Sequence, residues 1–178
     1  RGPPGGVRRG APGVPVGASL APGPAGGSFI PATDGREDVS ILERFNRQPF
    51  QQLLGIEITE AAEGHATGRL PLDRKHSSNR EQLIAHGGVA FALADAVGGA
   101  AAVSLCDQPT PTIDFRIDYL NPGTGDLHAT AEVVRRGGEA ALVEVDVYDA
   151  DDTPIASGRG LYKTSGLPGD SPWGFEEG

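Results

Sequence analysis

The sequence predicts an α+β fold in which an antiparallel sheet curls around one long helix, and three observations carry that prediction. A single stretch, Gly87 to Leu105, is long enough for a helix and consists mostly of Ala and Gly. Four later segments alternate apolar and polar residues with a period of two, and short, turn-rich connectors join them, so neighbours are expected to pair antiparallel as a meander. Two further strand-like segments precede the helix.

The bulk numbers are compatible with one such domain. A chain of 178 residues with 38% hydrophobic residues can bury a sizeable core without disulfides or metals. Its formal charge of -9 argues against nucleic acid as a partner, because binding phosphates requires clustered Lys and Arg. The single cysteine, Cys106, rules out an internal disulfide framework and has no partners for a zinc site, which places the chain in a reducing cytoplasm. A membrane span is not expected, since the longest apolar run carries Asp95 at its middle. No methionine occurs, position 1 included, so the chain reads as a fragment, a processed product or a misassigned start.

Residues 1–35 are rich in Gly, Pro and Ala with scattered Arg, and read as a disordered tail. They lack the apolar stretch of a secretory signal, and their prolines spoil the amphipathic helix of a transit peptide. The domain is expected over residues 36–164. It begins with a short helix on which Ile41, Leu42 and Phe45 share a face, capped by Asp38 or Ser40 and running to about Arg47. Leu54 to Thr59 and His65 to Leu72 read as strands around the turn-prone Ala61-Ala62-Glu63-Gly64, and Asp73 to Ala85 as a polar loop. After the long helix come strands Thr112 to Leu120, Asp126 to Arg135, Ala140 to Asp149 and Pro154 to Lys163. In the first of these, Ile113, Phe115, Ile117 and Tyr119 face the core while Thr112, Asp114, Arg116 and Asp118 face away. Residues 165–178, with Trp173 and Phe175, read as a second tail.

Within the long helix Asp95 requires an explanation, because a carboxylate flanked by Ala and Leu in a buried helix costs several kcal/mol unless something compensates it. Pairing with an Arg, or a polar stripe on a packed helix, is one answer; chemistry is the other. Gly87 and Gly88 open the helix, where unpaired N–H groups and the positive dipole end can stabilise an oxyanion, or where they make only the sharp turn into the helix. No Gly-x-Ser-x-Gly elbow, no paired nucleophilic Cys and no phosphate-cradling Gly loop is present, which leaves the carboxylate as the chemical centre.

An Asn-containing loop, His86-Gly87-Gly88, an acid nine residues after that His, and the block Thr112-Ile113-Asp114-Phe115 to Tyr119-Leu120-Asn121-Pro122 follow one another in this order. Over roughly Leu54 to Thr164 the chain thereby resembles the hotdog-fold acyl-CoA thioesterases, specifically the phenylacetate-degradation type of the 4-hydroxybenzoyl-CoA thioesterase-like superfamily. The resemblance implies hydrolysis of an acyl-CoA to free acid and CoA, with no cofactor beyond the CoA of the substrate. It implies that Asp95 acts as general base or nucleophile and that the Gly87 amide stabilises the oxyanion. It implies that Asn79 helps hold the thioester carbonyl or the water, although here Asn79 lies one residue further from His86 than in the family pattern. Thr112 matches a hydroxyl that positions water or acid, and His86 a residue that orients the loop and helix start. His86, Gly88 and Arg80 are carried as substrate-binding candidates, Arg80 also as a cation for the CoA phosphates beside Arg135, Arg136 and Arg159. No metal site is expected, since His65, His76 and His128 lack ligand spacing.

Eight residues of helix separate Gly87 from Asp95, about 12 Å at 1.5 Å per residue. One thioester could contact both only if a second copy supplied one of them, which predicts a two-fold dimer with antiparallel helices and leaves open whether dimers pair further into a tetramer. A non-catalytic acyl-CoA-binding module and an acyl-thioester hydratase or dehydratase stay open as alternatives. The acid at 95 counts against the first, and the absence of the usual His-plus-acid pattern counts against the second.

Overall fold

The computed structural model describes residues 40–106, 108–167 and 172. Readings of residues 1–35, Asp38, Trp173 and Phe175 fall outside these. Ser40 opens the first helix, α1 (Ile41–Asn46), through a capping box: its hydroxyl accepts from the Glu43 N–H, and the Glu43 carboxylate accepts from the Ser40 N–H. Asn46 at its end then fixes the start of the sheet, exchanging two hydrogen bonds with the Ile58 backbone at 3.0 and 2.7 Å.

The stretch taken for a strand from Leu54 begins differently. Pro49–Leu54 forms a second helix, α2, with Pro49 at its first turn and Gly55 ending it at φ +75°. A proline that presets φ and a glycine that takes a left-handed conformation bracket the helix, and strand β1 starts only at Glu57 (Glu57–Ala62). Glu63 and Gly64, at φ 51° and 83°, then make a tight hairpin turn into β2 (His65–Leu70). The following loop contains a 3-10 turn, Arg74–His76, where the sequence suggested only coil; Asp73 caps it, and the buried His76 accepts the Asp73 N–H on Nδ1.

Helix α3 (Gly87–Val103) is followed by β3 (Thr112–Tyr119), β4 (Leu127–Arg136), β5 (Ala140–Tyr148) and β6 (Pro154–Lys163). All pairings are antiparallel, and the sheet order is β1-β2-β4-β5-β6-β3. The meander therefore holds for β4, β5 and β6, but β3 does not pair with β4. It crosses to the far edge and pairs with β6, because the connector from Leu120 to Asp126 is tied elsewhere. Gly123 C=O in that connector accepts from Ala85 N–H, and Asp126 accepts from Leu72 N–H, both near the helix start and the end of β2.

One face of α3 fills the concave side of the sheet. Leu93, Val97, Leu70, Ile58, Leu127 and Val143 are almost wholly buried there, and each such side chain contributes about 1.5–3 kcal/mol on leaving water. Small residues permit the close approach: a Cβ on Gly68 would stand 2.7 Å from Val97 Cγ2. The outer face of the sheet is polar, with Arg159 paired to Glu144 and Arg69 to Glu57. No helix among the described residues is long and apolar enough to cross a membrane.

Alternation along β3 breaks at one point. The register shifts between Thr112 and Asp114, so Thr112 pairs with Tyr162 while Phe115 pairs with Gly160. This bulge puts Thr112 on the helix side together with Phe115, not on the polar face that strict alternation assigns it. Ile113 is the extra residue and stands 55% exposed.

Candidate active site

Asp95 sits midway along α3 and is half-buried, not enclosed as its apolar neighbours in sequence suggested, because the sheet wraps only one side of the helix. Phe91 and Ala92 are likewise half-buried, on the side the sheet leaves open. Two hydroxyls reach Asp95 from the sheet. Thr112 Oγ1 donates to Oδ1 at 2.8 Å, and Tyr162 Oη lies 3.3 Å from Oδ1 and 3.1 Å from the Asp95 carbonyl. No donor among the described residues meets Oδ2. Burial, and then the Asp95 charge and hydrogen bond, push the Tyr162 phenol far above its ordinary value, so it stays protonated and remains a donor.

Loop and helix meet in a compact cap. His86 is the N-cap of α3, with Nδ1 accepting the Gly88 N–H at 2.9 Å, and its own N–H donates to the His76 C=O at 2.8 Å. The Gly88 amide is thus occupied within the chain. The Gly87 N–H meets no acceptor among the described residues, while the Gly87 C=O accepts from Tyr119 Oη at 3.0 Å. Tyr119 packs so closely that a Cβ at position 87 would come within 3.1–3.2 Å of its ring. Beside Gly87 opens a cleft of about 330 Å³ lined by Ala85, Gly87, Ala90, Tyr119, Leu120 and Ile155.

The remaining candidates lie apart within one chain. Asn79 is exposed, and its Oδ1 accepts the Glu81 and Gln82 N–H groups at 2.8 and 3.0 Å, an arrangement that shapes the loop. Arg80 is exposed beside it, its carbonyl accepting from the Arg74 guanidinium. Arg159 is held by Glu144 on the outer sheet face, in a depression of about 350 Å³ that also includes Arg116, Asp118 and Asp146 and lies on the side away from α3. Tyr162 carried no sequence signal beyond strand alternation, and Tyr119 only its place in the strand block of the resemblance; the fold alone brings their hydroxyls to α3.

Comparison with known proteins identifies the family of this fold. A sequence model described as the thioesterase superfamily matches residues 84–156, which include Gly87, Asp95 and Thr112. A candidate esterase of Halobacterium salinarum is 35% identical over 121 residues, covering 62% of this chain and 80% of that protein. The medium/long-chain acyl-CoA thioesterase YigI of Salmonella typhimurium is 30% identical over 130 residues, covering 64% of this chain and 84% of its own. Among solved structures, the Escherichia coli PaaI protein of the phenylacetic acid degradation operon superposes with a TM-score of 0.63 at 26% identity, covering 69% of this chain and 88% of that one. With its antiparallel sheet wrapped on a single long helix, the chain is a hotdog-fold protein and belongs to the thioesterase superfamily.

Proposed function

We propose that this thioester hydrolase cleaves acyl-CoA to a free carboxylic acid and CoA, at a site shared between two copies of the chain. The observation that carries the reading is the state of Asp95: the residue is half-exposed, Oδ1 is held by Thr112 at 2.8 Å, and Oδ2 meets no donor among the described residues. Such a carboxylate is oriented yet keeps an oxygen available for a proton. Oδ2 takes a proton from water as the water oxygen attacks the thioester carbonyl; the tetrahedral intermediate then expels CoA as the C–S bond breaks, and the proton passes to the leaving thiolate.

The developing oxyanion needs a donor, and the Gly87 N–H at the positive end of α3 meets no acceptor among the described residues that it would have to give up. Because Gly87 and Asp95 are about 12 Å apart on one helix, the amide facing a given Asp95 is that of Gly87 of the partner subunit. Support for a dimer comes from β3, a sheet edge paired on one side among the described residues, where Ile113, Tyr119 and, just past its end, Leu120 are each more than half exposed. Asn79, whose amide Nδ2 meets no acceptor among the described residues, is the candidate to hold the carbonyl or the water. The likeness to YigI favours a fatty acyl group over an arylacyl one. A cytoplasmic location fits a soluble CoA-ester substrate and the single cysteine.

Thiol release from a panel of short, medium, long and aryl acyl-CoAs tests the reading. Release that is fastest with medium or long chains is expected, and absence of release across the panel would leave a binding module or an acyl-thioester hydratase or dehydratase.

A further inference from the structure

Tyr162 occupies a socket cut from two elements. A Cβ on Gly98 of α3 would lie 2.3 Å from its Oη, and one on Gly160 of β6 would lie 2.5 Å from its Cε2. The ring is 1% exposed and packs edge-on against Phe115, whose own ring meets Phe91 edge-on at 5.1 Å between centroids. Across the β3–β6 ladder it stands opposite Thr112. Both hydroxyls therefore converge on one oxygen of Asp95, from strands on the same side of the helix.

We propose that Tyr162 is a positioning residue for hydrolysis: with Thr112 it clamps Asp95 Oδ1 and so aims Oδ2 at the attacking water. The inference rests on the reading of Asp95 as the carboxylate that activates water. A carboxylate on a half-exposed helix face would otherwise rotate about its terminal torsion, which is broad and roughly two-fold, and exchange its two oxygens. One donor, Thr112, restrains that rotation from the rim; the second, buried and always protonated, restrains it from beneath. The phenol has one proton for two acceptors, the Asp95 carbonyl at 3.1 Å and Oδ1 at 3.3 Å, so it links the helix backbone to the side chain whose orientation matters.

Tyr162→Phe keeps the ring and removes the hydroxyl. The expected result with a good acyl-CoA is a fall in kcat of about tenfold with KM within about twofold of the parent, the lower end for a hydrogen bond to a charged group because the phenol shares one proton between two acceptors. A hydroxyl that only anchors the helix would lower the melting temperature and leave kcat per folded protein unchanged, and that outcome overturns the proposal. Should Tyr162→Phe not fold, Gly98→Ala retains the hydroxyl but displaces it; loss of kcat at constant KM supports the clamp, and an unchanged kcat contradicts it. Asp95→Asn, assayed alongside, separates the two readings. Full activity in Asp95→Asn removes Asp95 and the clamp together, whereas an inactive Asp95→Asn beside a fully active Tyr162→Phe removes the clamp alone.

Discussion

Thr112 and Tyr162 face each other across the β3–β6 ladder, and their hydroxyls meet at the same carboxylate oxygen of Asp95. That pairing exists because a bulge at Ile113 turns Thr112 to the helix side of the sheet. A strand of unbroken alternation would have pointed Thr112 outward with Asp114 and left Asp95 with one donor fewer.

Thr112→Val should therefore lower kcat by roughly 10- to 100-fold, since a hydrogen bond to a charged group contributes about 1.5–3 kcal/mol. Steady-state kinetics with KM held under observation checks this, and an unchanged kcat would show that the bond has no bearing on turnover.

Close packing at Gly68 predicts a purely structural loss. Gly68→Ala introduces a Cβ 2.7 Å from Val97 Cγ2 and 3.0 Å from the Glu57 carbonyl, so either the helix or the strand must yield. Overpacking of this kind costs about 1–3 kcal/mol, read as a lower urea midpoint at constant m-value. If the midpoint does not move, α3 and β2 leave room for a methyl group at position 68.

The loop under the helix start predicts a pH dependence of stability. His76 is 2% exposed, and its Nε2 meets no hydrogen-bond partner within ordinary distance among the described residues. Burial, then the nearby Lys75 charge, lower its pKa below the ordinary 6.5 against the opposing pull of Asp73 and the Leu54 backbone. The unfolded chain thus binds this proton more readily than the folded one. The stability tied to a neutral His76 is complete above pH 6.5 and is lost as pH falls from there through the lowered folded-state value. Melting temperatures across this range should decline on acidification in the parent, and His76→Asn should flatten that decline; parallel curves would contradict the assignment.

Self-association has its own consequence. If a thioester must touch Asp95 of one chain and Gly87 of another, activity should follow the dimer. Sedimentation and thiol release measured over the same dilution series should fall together, and a monomer that hydrolyses at full rate would contradict the shared site.

Much of this was legible in the sequence where local signals were strong. The Ala/Gly run marked α3 to within two residues of its end, and the alternation over Ala140 to Tyr148 marked β5. Helix α2 was signalled by Pro49 and Gly55 but obscured by the apolar Leu53-Leu54-Gly55-Ile56, which suits a strand equally well over so short a span. The place of β3 at the sheet edge was not legible, because hydrogen bonds of the Leu120–Asp126 connector to Ala85 and Leu72, distant in sequence, set its path. The bulge at Ile113 was hidden for the same reason: it is visible only against the register of β6. Within the site, Asp95, Gly87, His86 and Thr112 stood out by motif spacing, while Tyr162 came to Asp95 through tertiary structure alone.

The most direct test of the central claim is the rate of thiol release by Asp95→Asn, compared with the parent on the best acyl-CoA. A loss of about 10²–10⁴ in kcat, the usual worth of a general base, is expected in a protein that is still folded and still self-associated. A rate equal to that of the parent would place the chemistry elsewhere.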